Sequence, residues 1–136
     1  MPAFGNTSRG RLDTCHKDLQ TIMNAVVERY DIAIICGHRG EKEQREAFNN
    51  HRSQLNWPRS KHNEYPSKAA DVAPYPIDWD DNASFALMAG WILCTADRLL
   101  SEGKISHRLR WGGDWNSDHK TKDHGFLDFP HFELTD

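Results

Sequence analysis

Two histidines and an aspartate, His62, Asp71 and His131, supply the ligand set of a hydrolytic metal site. They lie in Ser60-Lys61-His62, in Ala70-Asp71-Val72-Ala73-Pro74 and in Asp128-Phe129-Pro130-His131-Phe132-Glu133. Two imidazoles and one carboxylate suit Zn2+. Three protein ligands leave the fourth tetrahedral position to water, whose pKa the metal lowers towards about 7. A carboxylate outside the ligand set can take the proton as that water attacks. Asp128, three residues before His131, is placed to do so, and Glu133 is its rival. The chemistry expected of this set is metal-assisted hydrolysis.

Taken singly, a histidine is ordinarily a surface or satisfied core residue, and His16, His51 and His107 read that way. His119 and His124 sit in a polar loop, residues 116–125, from which either can face a cleft, although their spacing does not demand it. Asp71 differs because its neighbours are apolar, and burying a carboxylate there is costly unless it is paired or bound to a cation. A buried salt bridge is the plain alternative. On a regular strand Asp128 and His131 have opposite parity and point to opposite faces. Pro130 cannot donate to a ladder and belongs at a strand start, edge or bulge. Asp128 is therefore expected on the turn entering the strand. Glu133 shares a face with His131, where it can instead support a histidine ring.

The elements that must position these groups follow from apolar spacing. From Arg11 to Tyr30, Leu12, Cys15, Leu19, Ile22, Met23, Val26, Val27 and Tyr30 recur at intervals of three and four, which predicts one amphipathic helix. Asp31 to Cys36 is a β-branched run stopped by Gly37, a buried strand. Glu41 to Asn50 is a short polar helix. The stretch from His51 to Lys68 has no period and reads as a long loop, of the kind that usually carries function. Ala69 to Ala73 is a short strand ended by Pro74. Asp80, Asp81 and Asn82 offer N-caps for a helix from Ala83 to Glu102, apolar on most sides and stopped by Gly103. Leu109 to Trp111 and Pro130 to Leu134 are the closing strands. This order predicts an α+β domain with a small, mostly antiparallel sheet.

The chain of 136 residues suits one domain, residues 1–136, around a single core. Hydrophobic content of 38% and charged content of 27% are those of a globular protein. A net charge of −3 and a pI near 6.2 argue against a nucleic-acid partner. The longest apolar run, around Phe85 to Ala96, reads as a buried helix rather than a membrane span. Cys15, Cys36 and Cys94 form no Cys-x-x-Cys pair, and all three read as small buried apolar residues of a reducing compartment. The N-terminal residues lack the apolar stretch of a secretory signal.

Ser60-x-His62, Ala69-x-Asp71 and Asp128-x-Pro130-His131-Phe132-Glu133, with Gly37-x-Arg39 and Gln44 upstream, together resemble the LAS group of zinc peptidases. That group holds D-alanyl-D-alanine carboxypeptidases and phage L-alanyl-D-glutamate endopeptidases, and the likeness spans nearly the whole chain. It implies a hedgehog/D,D-peptidase-like fold, with His62, Asp71 and His131 as zinc ligands and Asp128 as general base. Related sequences often have glutamine at the position of Glu133, which favours Asp128 for that role. Arg39 would polarise the scissile carbonyl, the plain alternative being a surface salt bridge to Glu41 or Glu43. Ser60 and Gln44 would bind substrate in the cleft. This chain departs from Ser-x-His-x-x-Gly-x-Ala-x-Asp by two extra residues between His62 and Asp71 and by Ser67 in place of the glycine, so the loop is reshaped.

The short catalytic chain looks most like the phage endolysin branch. The resemblance then implies a bacterial peptidoglycan stem peptide as partner, with neither nucleic acid nor membrane insertion, and a monomer. It implies synthesis in the host cytoplasm and action on the cell wall after release by a separate membrane-permeabilising factor. Three other functions compete: a D-alanyl-D-alanine carboxypeptidase, a non-catalytic zinc-binding module, and a histidine-rich metal nuclease. The presence of both Asp128 and Arg39 favours an enzyme, and the acidic balance disfavours the nuclease.

Overall fold

The computed structural model describes residues 2–120 and 127–136. The helix expected from residue 11 to 30 is two helices, α1 (Asn6–Leu12) and α2 (Lys17–Val27). The break has a local cause. His16 caps α2, its Nδ1 accepting from the Asp18 N–H at 3.0 Å. The turn before it is tied to a distant segment, His16 N–H donating to the Ser67 carbonyl at 2.7 Å and Ser67 N–H to that of Thr14 at 2.8 Å. Backbone groups spent on Ser67 are unavailable to a continuing helix, and the seam anchors the segment leading to Asp71.

After these come β1 (Ile32–Cys36), α3 (Glu41–Asn49), a 3₁₀ turn (Lys61–Asn63), β2 (Ala69–Pro74), α4 (Asn82–Ser101), β3 (Arg108–Trp111) and β4 (His131–Thr135). The strands form one four-stranded sheet in the order β1-β2-β4-β3. Every neighbouring pair is antiparallel, as the α+β expectation had it.

Strand alternation divides the sheet into two faces. Ile32, Ile34, Ala70, Val72, Trp111, Phe132 and Leu134 enter the core with Leu19, Ile22 and Met23 of α2 and Phe85, Met88 and Ile92 of α4. Asp71, Arg110, His131 and Glu133, of the other parity, line a cleft together with Cys36. The register shifts between Ile34 and Cys36, and this irregularity sets Cys36 opposite Asp71.

Two expectations need correction. α4 is covered on one side, through Phe85, Met88, Ala89, Ile92, Ala96 and Leu99, while Leu87 and Trp91 are 58% and 41% exposed. Its neighbours α2, β2 and β3 can cover only the face turned towards them. By length and composition this 20-residue helix is also long and apolar enough to cross a membrane. Nor do the cysteines share one environment. Cys15 is buried and its thiol pushed up to about 12, chiefly by that burial; Cys36 is half-buried in the cleft and Cys94 is exposed.

Candidate active site

Asp71 and His131 are cross-strand partners on β2 and β4, so their side chains rise from the same place on the polar face of the sheet. His62 arrives from the 3₁₀ turn. Both rings meet the same carboxylate oxygen: Asp71 Oδ1 lies 3.2 Å from His62 Nε2 and 3.2 Å from His131 Nδ1. The remaining nitrogen of each ring is committed elsewhere. His62 Nδ1 is 2.7 Å from the Gly37 carbonyl, which can only accept, so that nitrogen carries the proton. His131 Nε2 is 2.8 Å from Glu133 Oε1, another acceptor. The nitrogen that each ring turns towards Asp71 is the one left to offer a lone pair to a metal ion. Two imidazoles and a carboxylate are donors that suit Zn2+, and the residues close enough to share an ion form two groups that meet at Asp71: Cys36, His62 and Asp71, and Asp71, Asp128 and His131. When no metal is bound a proton takes the cation's place: burial opposes it, but Asp71 pushes His62 up to about 10.

Asp128 stands on the turn entering β4, with its N–H donating to the Gly112 carbonyl at 2.9 Å and its carbonyl accepting from the His131 N–H at 3.0 Å. Its carboxylate falls within 4.8 Å of the ligand atoms of Asp71 and His131. Burial and the neighbouring Asp71 hold its carboxyl above the usual range. Gly112 makes the approach possible, because a Cβ there would meet the Asp128 carbonyl oxygen at 2.0 Å.

Glu133 is placed for another task. Besides His131 it faces Arg110 Nη2 at 2.6 Å and Lys61 Nζ at 3.7 Å. Despite burial, His131 and Arg110 hold it down to about 2. A carboxylate so committed is a weak proton acceptor and a strong orienter of the His131 ring.

Arg39 pairs with neither Glu41 nor Glu43. Its Nη2 lies 3.3 Å from Asp71 Oδ2 and its Nη1 donates to Gln44 Oε1 at 3.0 Å. Gln44, expected to bind substrate, has no exposed surface and lies beneath the cleft. Its carbonyl also accepts from Asn63 Nδ2 at 3.1 Å, and its amide donates to Ser53 Oγ at 3.0 Å and to the Leu55 carbonyl. It is a buried hub tying α3 to the His62 turn, a correction that follows from an amide at full hydrogen-bonding capacity. Ser60 lines the cleft but is nearly buried, and its hydroxyl accepts from the His62 N–H at 3.2 Å as the cap of the 3₁₀ turn. The replacement of glycine by Ser67 is absorbed locally, its hydroxyl donating to the Ala69 carbonyl at 2.7 Å.

The cleft above these groups has a volume of about 1130 Å³. Arg110, Trp115 and Cys36 line it and escaped sequence reasoning. The parity of Arg110 with Glu133 becomes visible only once their strands are known to pair. Cys36 Sγ lies 4.0 Å from His62 Nδ1 and 3.8 Å from Arg39 Nη2, a placement made by the register shift. His119 is exposed and outside the cleft lining, its N–H donating to Asp114 Oδ2 at 2.8 Å. His124 lies outside the described residues.

Among curated proteins none matches this chain. Among solved structures it is similar to the Serratia marcescens L-Ala D-Glu endopeptidase ChiX, at 25% sequence identity and a TM-score of 0.69, over 98% of this chain and 91% of that one. Residues 2–135 match the family described as phage L-alanyl-D-glutamate peptidase. With a peptidase fold over nearly its whole length and two histidines and an aspartate gathered beside a further carboxylate, the chain belongs to the phage L-alanyl-D-glutamate peptidase family.

Proposed function

We propose that this protein is a zinc-dependent peptidoglycan peptidase of the endolysin type, hydrolysing the L-alanyl-D-glutamate bond of bacterial stem peptides. One observation supports the metal: His62 and His131 each turn a ring nitrogen to the same oxygen of Asp71, at 3.2 Å, while the other nitrogen of each imidazole faces an acceptor. Bound there, zinc would supply a water of lowered pKa and polarise the scissile carbonyl.

The protein's own groups then have separable tasks. Asp128, outside the ligand triad, accepts the proton of the attacking water and returns it to the departing amine. Arg39 holds Asp71 through one nitrogen and offers its remaining donors to the oxyanion formed from the alanyl carbonyl. Glu133, neutralised by Arg110 and Lys61, keeps the His131 ring turned with Nδ1 towards the site. The endolysin reading adds a monomer made in the host cytoplasm, reaching the wall after a separate factor permeabilises the membrane.

The test is mass spectrometry of products from defined muropeptides, with zinc and after chelation. Cleavage between L-Ala and D-Glu, lost on chelation and restored by zinc, is expected. His131→Ala should lose zinc while remaining folded. Release of terminal D-Ala instead would make the protein a carboxypeptidase. One bound zinc with no cleavage of any stem peptide would make it a non-catalytic zinc-binding module.

A further inference from the structure

Trp79 has no evident reason to be where it is. It lies on the connection between β2 and α4, is 55% exposed, and lines the same cleft as His62, Asp71 and Asp128. Its ring stacks on Phe85, with centroids 5.7 Å apart and planes inclined by 24°. Phe85 is only 2% exposed in the first turn of α4, so the core backs the indole and holds it in place. Tyr75 and Ile77 on the same connection are 60% and 39% exposed. The cap of α4 is made by Asp81, whose carboxylate accepts from the Ser84 N–H at 3.1 Å, and needs no aromatic neighbour. A rigid, exposed aromatic at the edge of a reaction cleft marks a binding surface.

The chemistry of the substrate says what can lie on it. This step rests on the L-alanyl-D-glutamate reading above. In a stem peptide L-Ala is the first residue, and its nitrogen is acylated by the lactyl group of a muramic sugar. The acyl side of the scissile bond therefore offers a single methyl-bearing residue before the chain becomes a pyranose. The D-Glu side carries negative charge, and the cleft holds cationic side chains that can meet it, Arg52 and Arg59 from the loop after α3. A pyranose is uncharged over its ring and presents a face of C–H groups, which packs against an aromatic plane as no alanine or glutamate side chain can. We propose that Trp79 is a sugar platform, receiving the muramic residue that bears the scissile alanine, so that the enzyme reads glycan as well as peptide.

The discriminating comparison is kcat/KM on a muropeptide against the same peptide carrying only an N-lactyl group. The wild-type protein should prefer the sugar-bearing substrate by roughly tenfold, the scale of one aromatic stacking contact, mainly through KM. Trp79→Ala should erase that preference and Trp79→Tyr should keep most of it. A second reading does not need turnover: the Trp79 indole N–H resonance, identified by its absence in Trp79→Tyr, should shift on adding the peptide-free disaccharide. Equal wild-type rates on the two substrates, an unchanged indole signal, or an equal loss on both substrates in Trp79→Ala would each overturn the proposal. If instead neither substrate is cut between L-Ala and D-Glu, the peptidase reading fails, and the indole signal still reports separately on sugar binding.

Discussion

At the scale of single residues, the site separates two carboxylates by what surrounds them. Asp128 is largely buried, sits beside the anionic Asp71 and has no cationic hydrogen-bond partner among the described residues, so it binds a proton more readily than an ordinary aspartate. Glu133 is gripped by His131, Arg110 and Lys61 and binds one less readily. Asp128→Asn should accordingly keep zinc and melting temperature yet lower turnover by about a hundredfold, the usual contribution of a positioned base. Glu133→Gln retains a carbonyl that can accept from His131 and should cost less. Turnover and bound zinc measured on both variants decide the matter: near-normal turnover in Asp128→Asn with Glu133→Gln inactive moves the base to Glu133.

At the scale of elements, Asp128, the proposed base, is positioned by a close approach between the end of β3 and the turn before β4. The Gly112 carbonyl accepts from Asp128, and the Gly112 N–H donates to the His131 carbonyl at 2.7 Å. A methyl group at Gly112 would fall 2.0 Å from the Asp128 carbonyl oxygen, a backbone atom that cannot swing aside. Gly112→Ala should destabilise by about 2 kcal/mol, in the range of overpacked sites, and lower turnover further by displacing Asp128. Gly90, within α4 with nothing within 4 Å of its added Cβ, is the control. Gly90→Ala should raise stability by about 0.5–1 kcal/mol with activity unchanged. Denaturant midpoints and turnover of the two variants test this; equal effects would mean that the contact at Gly112 does not matter.

At the scale of the whole molecule, the start of α2 is strapped to the segment before β3. Asp18 Oδ2 accepts from His107 Nδ1 at 2.7 Å and from the backbone and hydroxyl of Ser106 at 3.0 and 3.2 Å. Burial raises the Asp18 carboxyl, but the bonds from His107 and Ser106 outweigh it and leave the pKa depressed. A carboxyl depressed in the folded state contributes stability above its unfolded pKa, near 3.9, and loses it as pH falls through the folded value. Asp18→Asn should therefore cost about 2 kcal/mol at neutral pH, typical of hydrogen bonds to a buried charge. The difference from wild type should begin to narrow below roughly pH 4 and go on shrinking as pH falls through the folded value. Unfolding curves at pH 7 and pH 3 check it, and a gap as wide at pH 3 as at pH 7 would show that the strap does not depend on charge.

Several features were legible in the sequence because they depend on near neighbours along the chain. Apolar spacing marked α2, α4 and the strands, and Pro130 placed Asp128 on a turn rather than in a ladder. Only the tertiary structure decided the rest. The helix break at residues 13–16 depends on Ser67, some fifty positions away. Whether Gln44 meets substrate or lies beneath the cleft depends on how α3 packs against the His62 turn. That Glu133 also meets Arg110, which holds its carboxyl down, depends on β3 pairing with β4. The local period of a strand says which residues share a face. Which strand lies alongside, and hence which charge meets which, is set by pairing across the sheet, where residues far apart in sequence come within hydrogen-bonding distance. The candidate ligand types and the turn that carries Asp128 were therefore written locally, whereas the orientation of each imidazole and the commitment of each carboxylate come from contacts that exist only once the sheet has formed.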